Sequence, residues 1–216
     1  MVAGASHRNR VAVRNSVDSS LVDIDDLATR IDLDRRATAY SVDVVDQARA
    51  GDLDRPTPCA EWTLRQLLGH MIGHHLGWTA SLTGAPVGGE VWDRTDFDGD
   101  LHEAYRKSAQ GVVESFAQPR LPEKIEVYGY GTLPMRTVLG MHIVDYVVHS
   151  WDVARAIGSS LVPDEDLTEA AFAIMKQFPT GRPNVAFDVM VDPKPGASVL
   201  EQFMAYVGRD PEWTAP

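Results

Sequence analysis

Cysteine is almost missing from this chain of 216 residues, where Cys59 stands alone. A single thiol excludes an internal disulfide and a thiolate-rich zinc site. Positive charge is scarce as well: 20 Lys and Arg face 31 Asp and Glu, a formal net charge of −11. That balance argues against a sequence-independent nucleic-acid binder, which needs a basic face, and against attachment to anionic membrane surfaces. No apolar run approaches the roughly 20 residues of a membrane span. Arg8, Arg10 and Arg14 are followed by no apolar stretch of the kind a secretory signal requires, so the cytoplasm is the expected compartment. Internal repeats and low-complexity tracts are absent too.

What remains is the composition of a globular chain, 44% hydrophobic and 24% charged. The length suits one ordinary domain with a sizeable core. Residues 1–20 are polar and aperiodic and read as a flexible tail, leaving 21–216 as the folded domain. A first helix is expected from near Leu33 to Arg49. The loop Arg55-Pro56-Thr57-Pro58-Cys59 carries two prolines and cannot be helical throughout. Thr63 and Gln66 then form a capping box, and Leu64, Leu67, Leu68, Met71 and Ile72 give the stripe of an amphipathic helix. That helix should stop near Thr83-Gly84, before a polar loop running to about Asp98.

A third helix is expected from Asp100 to Ala117, and Lys124 to Tyr130 alternates like a short extended segment. A fourth helix starts near Thr132 to Pro134 and ends at Gly158. A fifth begins at Pro163-Asp164 and carries Leu167, Ala170, Ala171, Ile174, Met175 and Phe178 at helical period. Val185 to Val191 reads as extended, and a short helix spans about Ala197 to Val207. The fold class is therefore mainly all-α: a four-helix bundle with C-terminal helical additions and one or two short extended segments.

The fourth helix holds the chemistry. At about 100° per residue, Asp145 lies roughly 60° from His142 around the helix, and His149 only about 20° from it. Asp145 and His149 are one turn apart, so carboxylate and imidazole can reach one cation. His70 on the second helix would supply a third ligand and leave a position open, the layout of a catalytic zinc site. The same residues also suit polar groups satisfied inside a core, and spacing alone leaves both readings open. Asp152 and Arg155 are placed for a local ion pair. Trp62 and Trp151 read as core anchors, Cys59 as a structural residue, and His7, His75 and His102 as solvent-side.

Two stretches carry a family resemblance. Arg55-Pro-Thr-Pro-Cys-Ala-Glu-Trp-Thr-Leu-Arg-Gln-Leu-Leu-Gly-His70 resembles the PTPC-x-x-W signature of the DinB/YfiT-like superfamily. More narrowly, it resembles the N-terminal domain group of mycothiol-dependent maleylpyruvate isomerases from actinobacteria. His142-x-x-Asp145-x-x-x-His149-x-Trp151-Asp152-x-Ala154-Arg155-Ala156-x-Gly158 is similar to that group's second signature, and Phe203 to Pro211 to its closing segment.

The resemblance implies a DinB-like four-helix bundle binding a divalent metal, most often zinc, with nickel or another divalent ion as alternatives. His70, Asp145 and His149 match the ligands, Asp145 standing where the isomerase itself has glutamate. His142 and His74 would orient a ligand or face the substrate. The implied function is a metal-dependent thiol transferase or isomerase acting on a small molecule, with mycothiol as cosubstrate. The alternatives are a non-catalytic metal- or ligand-binding bundle and a metal-activated hydrolase. A homodimer is a further expectation.

Overall fold

Helix α5, Met135–Ile157, runs through the middle of the structure, and most of its residues are buried. Its apolar residues Val138, Leu139, Ile143, Val144, Val147 and Val148 are distributed around the helix, so neighbours pack on several sides. The protein is described here from a computed structural model, covering residues 22–59, 62–178 and 187–215. Around α5 stand α1 (Leu27–Val45), α2 (Leu64–Leu82) and α4 (Leu101–Phe116). α1 packs on α5 and α4, and α2 packs on α4 and α5, which closes a four-helix bundle. Two further helices, α6 (Glu165–Met175) and α7 (Val199–Tyr206), extend it: α6 lies on α5, and α7 on α6.

Local signals set most of these ends. Thr63 and Gln66 form the expected reciprocal cap at the start of α2, with Thr63 N–H donating to Gln66 Oε1 at 2.9 Å. Gly158 ends α5 in the left-handed region at φ 72°, its N–H reaching back to the carbonyls of Ala154 and Arg155. α1 begins at Leu27 rather than near Leu33, because Asp26 caps it by accepting from Thr29 N–H at 2.8 Å. It also stops at Val45, short of Arg49. A 3-10 turn over Ala50–Asp52 follows, in which the Asp52 carboxylate accepts from Arg49 N–H.

The extended segment expected at 124–130 is the first half of a hairpin. β1 (Lys124–Val127) pairs antiparallel with β2 (Gly131–Pro134), Ile125 opposite Leu133, and α5 starts directly after it. Within the expected extended segment 185–191, residues 185 and 186 lie outside the described residues. Residues 187–191 form no strand, although Val191 N–H donates to Ala205 O at 2.9 Å. The tail expected at 1–20 lies outside the described residues.

β2 takes the residues Thr132 to Pro134 expected to open the fourth helix, and a short helix was not foreseen either. The polar loop after α2 contains a short helix, α3 (Gly89–Trp92), and folds back along α2. Three glycines one turn apart on α2 permit this. A Cβ at Gly69 would stand 2.2 Å from Asp96 N, one at Gly73 2.5 Å from Val91 O, and one at Gly77 2.4 Å from the Trp92 indole. The loop backbone and Trp92 thus lie directly on the helix, where any side chain would hold them off.

Candidate metal centre

α2 and α5 face each other with His70 on one and Asp145 and His149 on the other. One ligand atom from each of these three lies within 4.8 Å of the others. Asp145 Oδ1 is 3.4 Å from His149 Nε2, as the four-residue spacing on one helix requires.

The orientation of His149 is set from behind. Its Nδ1 lies 3.0 Å from Asp152 Oδ2, and Asp152 is gripped by Arg209, with Nε to Oδ1 and Nη2 to Oδ2 both at 3.0 Å. Asp152 is fully buried and Arg209 nearly so, and the guanidinium donates to both carboxylate oxygens. The Nδ1–H of His149 therefore donates to Asp152, and the Nε2 lone pair is presented to Asp145 and the space beyond. The local Asp152–Arg155 pair expected from the sequence does not form. Arg155 instead donates to Pro211 O at 2.9 Å and lies over the Trp151 ring, because the buried Arg209 takes the carboxylate.

Electrostatics suit a cation ligand set. Burial pushes His70 well below its ordinary value, and the neighbouring His74 and His149 add to this, so His70 is neutral with a lone pair to give. Burial alone would raise Asp145, but the adjacent His149 and His74 outweigh it and hold the carboxyl below the usual range. Asp145 Oδ2 is buried without a hydrogen-bond partner among the described residues, although His74 Nδ1 stands 3.5 Å away. A neutral imidazole, a second imidazole oriented by a carboxylate, and an ionised carboxylate with an unsatisfied oxygen fit a divalent ion of the zinc type.

The three residues border a cavity of about 640 Å³. His74 lines it too, with its ring 3.8 Å from that of His70 and 5.2 Å from Trp92. Trp62, expected only as a core anchor, is half-buried and its ring lies tilted against that of His70, with centroids 4.5 Å apart. Cys59 lies in the cavity wall, and its sulfur, with atoms of His149 and Asp152, forms a second group within 4.8 Å.

His142 points elsewhere. It is fully buried, its Nδ1 2.6 Å from Asp34 Oδ1 on α1, and it does not line the cavity. The roughly 60° between His142 and Asp145 around α5 is enough to turn it toward α1. His75 is not on the solvent side. It is buried, with Nδ1 3.0 Å from Ser108 Oγ and its ring stacked on Tyr146, because α4 covers that face of α2. His102 is half-buried, its Nε2 3.0 Å from Ala48 O, and His7 lies outside the described residues. Arg209 was not foreseen from the sequence, and its position in the closing segment that resembles the family's is the one signal that pointed there.

The chain is similar to known proteins. Residues 35–154, more than half of the chain, match the family described as the mycothiol maleylpyruvate isomerase N-terminal domain. Two relatives from Mycobacterium tuberculosis, both named only as uncharacterized proteins, are 33% identical over 122 residues, which cover 55% of this chain and 62% of theirs. The chain thus matches less than two thirds of the length of these relatives. No solved structure matches. The matched residues contain α2 and most of α5, with His70, Asp145 and His149 among them, and the chain belongs to the mycothiol maleylpyruvate isomerase N-terminal domain family.

Proposed function

We propose that this protein holds a divalent cation, zinc first, through His70, Asp145 and His149, and uses it in a thiol-dependent transfer or isomerisation on a small organic molecule. The observation that carries this reading is the convergence of the three ligand atoms at a cavity, with His149 Nδ1 already occupied by the Asp152–Arg209 pair. His70, Asp145 and His149 would hold the divalent ion, whose chemistry there would be to lower the pKa of a low-molecular-weight thiol of the mycothiol type.

The protein's own residues do the rest. Asp152 fixes the His149 tautomer through Nδ1, and Arg209 holds Asp152 in place through both of its oxygens. Trp62 covers one side of His70 and limits water at the ligand set. His74 sits at the cavity side of Asp145, within reach of a proton released from a bound thiol. A small-molecule substrate is proposed because the cavity, at about 640 Å³, lies within the size range of small-ligand sites.

Metal content of the purified protein tests the site. The parent chain is expected to carry close to one equivalent of divalent ion, and His70→Ala and His149→Ala to lose most of it. Unchanged metal in both variants would overturn the site. Mass spectrometry after incubation with mycothiol and a small electrophile tests the reaction, where a conjugate that disappears on chelation is expected. No conjugate with a metal-loaded chain would leave a binding bundle without turnover.

A further inference from the structure

The cavity beside the ligand set has walls of a single character. Trp62, Trp92, Tyr128, Tyr130 and Phe178 present aromatic surface to it, and Met141 and Met175 add soft apolar surface. Among the described residues no Lys or Arg lines it, and besides Asp145 its one charged side chain is Asp93. These features have local causes. Gly77 lets Trp92 lie flat on α2, where it meets Trp78 edge-on at 4.8 Å and His74 at 5.2 Å. The hairpin turn between β1 and β2 carries Tyr128 and Tyr130, 45% and 54% exposed, and both line the cavity.

Gly89 lacks a Cβ at the point where Asp93 Oδ2 and Tyr128 Oη converge. An added Cβ would stand 2.5 Å from the first and 2.6 Å from the second. A carboxylate and a phenol oxygen therefore come together beside the exposed tyrosines.

We infer that this cavity takes a ring-bearing small molecule that is uncharged or cationic, with any positive group at Asp93 and the ring against Trp92, and that with no metal bound its walls favour such a molecule over a carboxylate. The inference rests on the proposed reaction only for the place where substrate sits, and the walls argue for it without the metal. Aromatic faces attract cations and stack on rings but offer an anion nothing. With no metal bound, a carboxylate entering here would lose water, meet no Lys or Arg among the described residues, and approach Asp93. The net charge of −11 repels anions at longer range in the same sense.

A size-matched series separates the possibilities: naphthalene-2-methylamine, naphthalene-2-methanol and naphthalene-2-acetate, titrated calorimetrically into the full chain. The chain is used as purified and again after chelation. The second titration is the one ranked, because a carboxylate can also ligate a metal. The amine is expected to bind at least as tightly as the alcohol, and both more tightly than the acetate by about tenfold or more. Asp93→Asn is expected to remove the amine's advantage while leaving the alcohol unchanged, and Trp92→Ala to weaken all three. The exposed Asp93 can be changed without endangering the fold. Acetate binding equal to that of the alcohol after chelation would overturn the inference, as would no measurable binding of amine or alcohol. An amine advantage that survives in Asp93→Asn would overturn the place assigned to the positive group. The metal reading fails on a different signal, unchanged metal in His70→Ala and His149→Ala, so the two can fall separately.

Discussion

Asp152 shows how a residue that touches no ligand position can govern one. Two groups compete for its carboxylate, and both are satisfied: His149 Nδ1 at 3.0 Å and the Arg209 guanidinium on both oxygens. Its negative charge makes His149 Nε2 a better electron-pair donor and fixes the ring plane. Asp152→Asn keeps the size and can still accept from Nδ1, but it loses the charge. The expected outcome is a fall in divalent-ion affinity of about 10- to 100-fold, the usual effect of removing a group that orients a metal-binding histidine. Competition against a chelating dye measures it, and an affinity within twofold of the parent chain would contradict the role given to Asp152. The sequence placed Asp152 near His149 by spacing, but it suggested Arg155 as partner. Arg155 is three residues away on the same helix, whereas Arg209 comes from beyond α7, and nothing local distinguishes them.

At the scale of elements, the informative feature is the glycine row on α2. Glycine inside a helix costs about 1 kcal/mol relative to alanine, so three at four-residue spacing need a reason. Here the reason is close approach of the segment from Val91 to Asp96. Gly77→Ala would place a Cβ 2.4 Å from the indole of the nearly buried Trp92 and force that ring off the helix. Its stability is expected to drop by about 1–3 kcal/mol, the range for overpacking a filled site. Gly111→Ala on α4 is the control. There a Cβ meets only Thr79 Oγ1 at 3.7 Å, ordinary contact, and alanine should stabilise by about 0.5–1 kcal/mol. Chemical denaturation of the two variants gives opposite signs if the row exists for packing. The same substitution at Gly77 should also weaken ring binding, since Trp92 is a cavity wall.

Across the whole molecule, buried histidines make stability depend on pH. His75 is held well below its ordinary value of 6.5, by burial first and then by the neighbouring His142 and His74. His70 shifts in the same direction while no metal is bound. Between the depressed folded value and 6.5 the unfolded chain takes up a proton that the folded chain refuses. Stability is therefore full above about pH 6.5 and is lost as pH falls through that window. Asp145 acts in the same sense, but only below its ordinary value of 3.8, because its folded value is depressed. The chelated chain is expected to show a falling thermal midpoint between about pH 7.5 and pH 5.5, in a range where carboxylates contribute little. A flat midpoint over that range would contradict the buried neutral state of His75.

The sequence by itself determined the helical architecture, the capped ends of α2 and α5, and the three ligand candidates His70, Asp145 and His149. The helices and their ends depend on period and caps along single elements, which short-range geometry dictates, whereas the joining of His70 to Asp145 and His149 stayed open on spacing and came from the family resemblance. Only the tertiary structure decided which face of each helix meets which neighbour. That sent His142 to Asp34, drew His75 under α4, gave Asp152 to Arg209 rather than Arg155, and turned Trp62 into a wall of the cavity. In each case the partner lies on another element far along the chain, and burial made the pairing obligatory without making it visible in the local pattern.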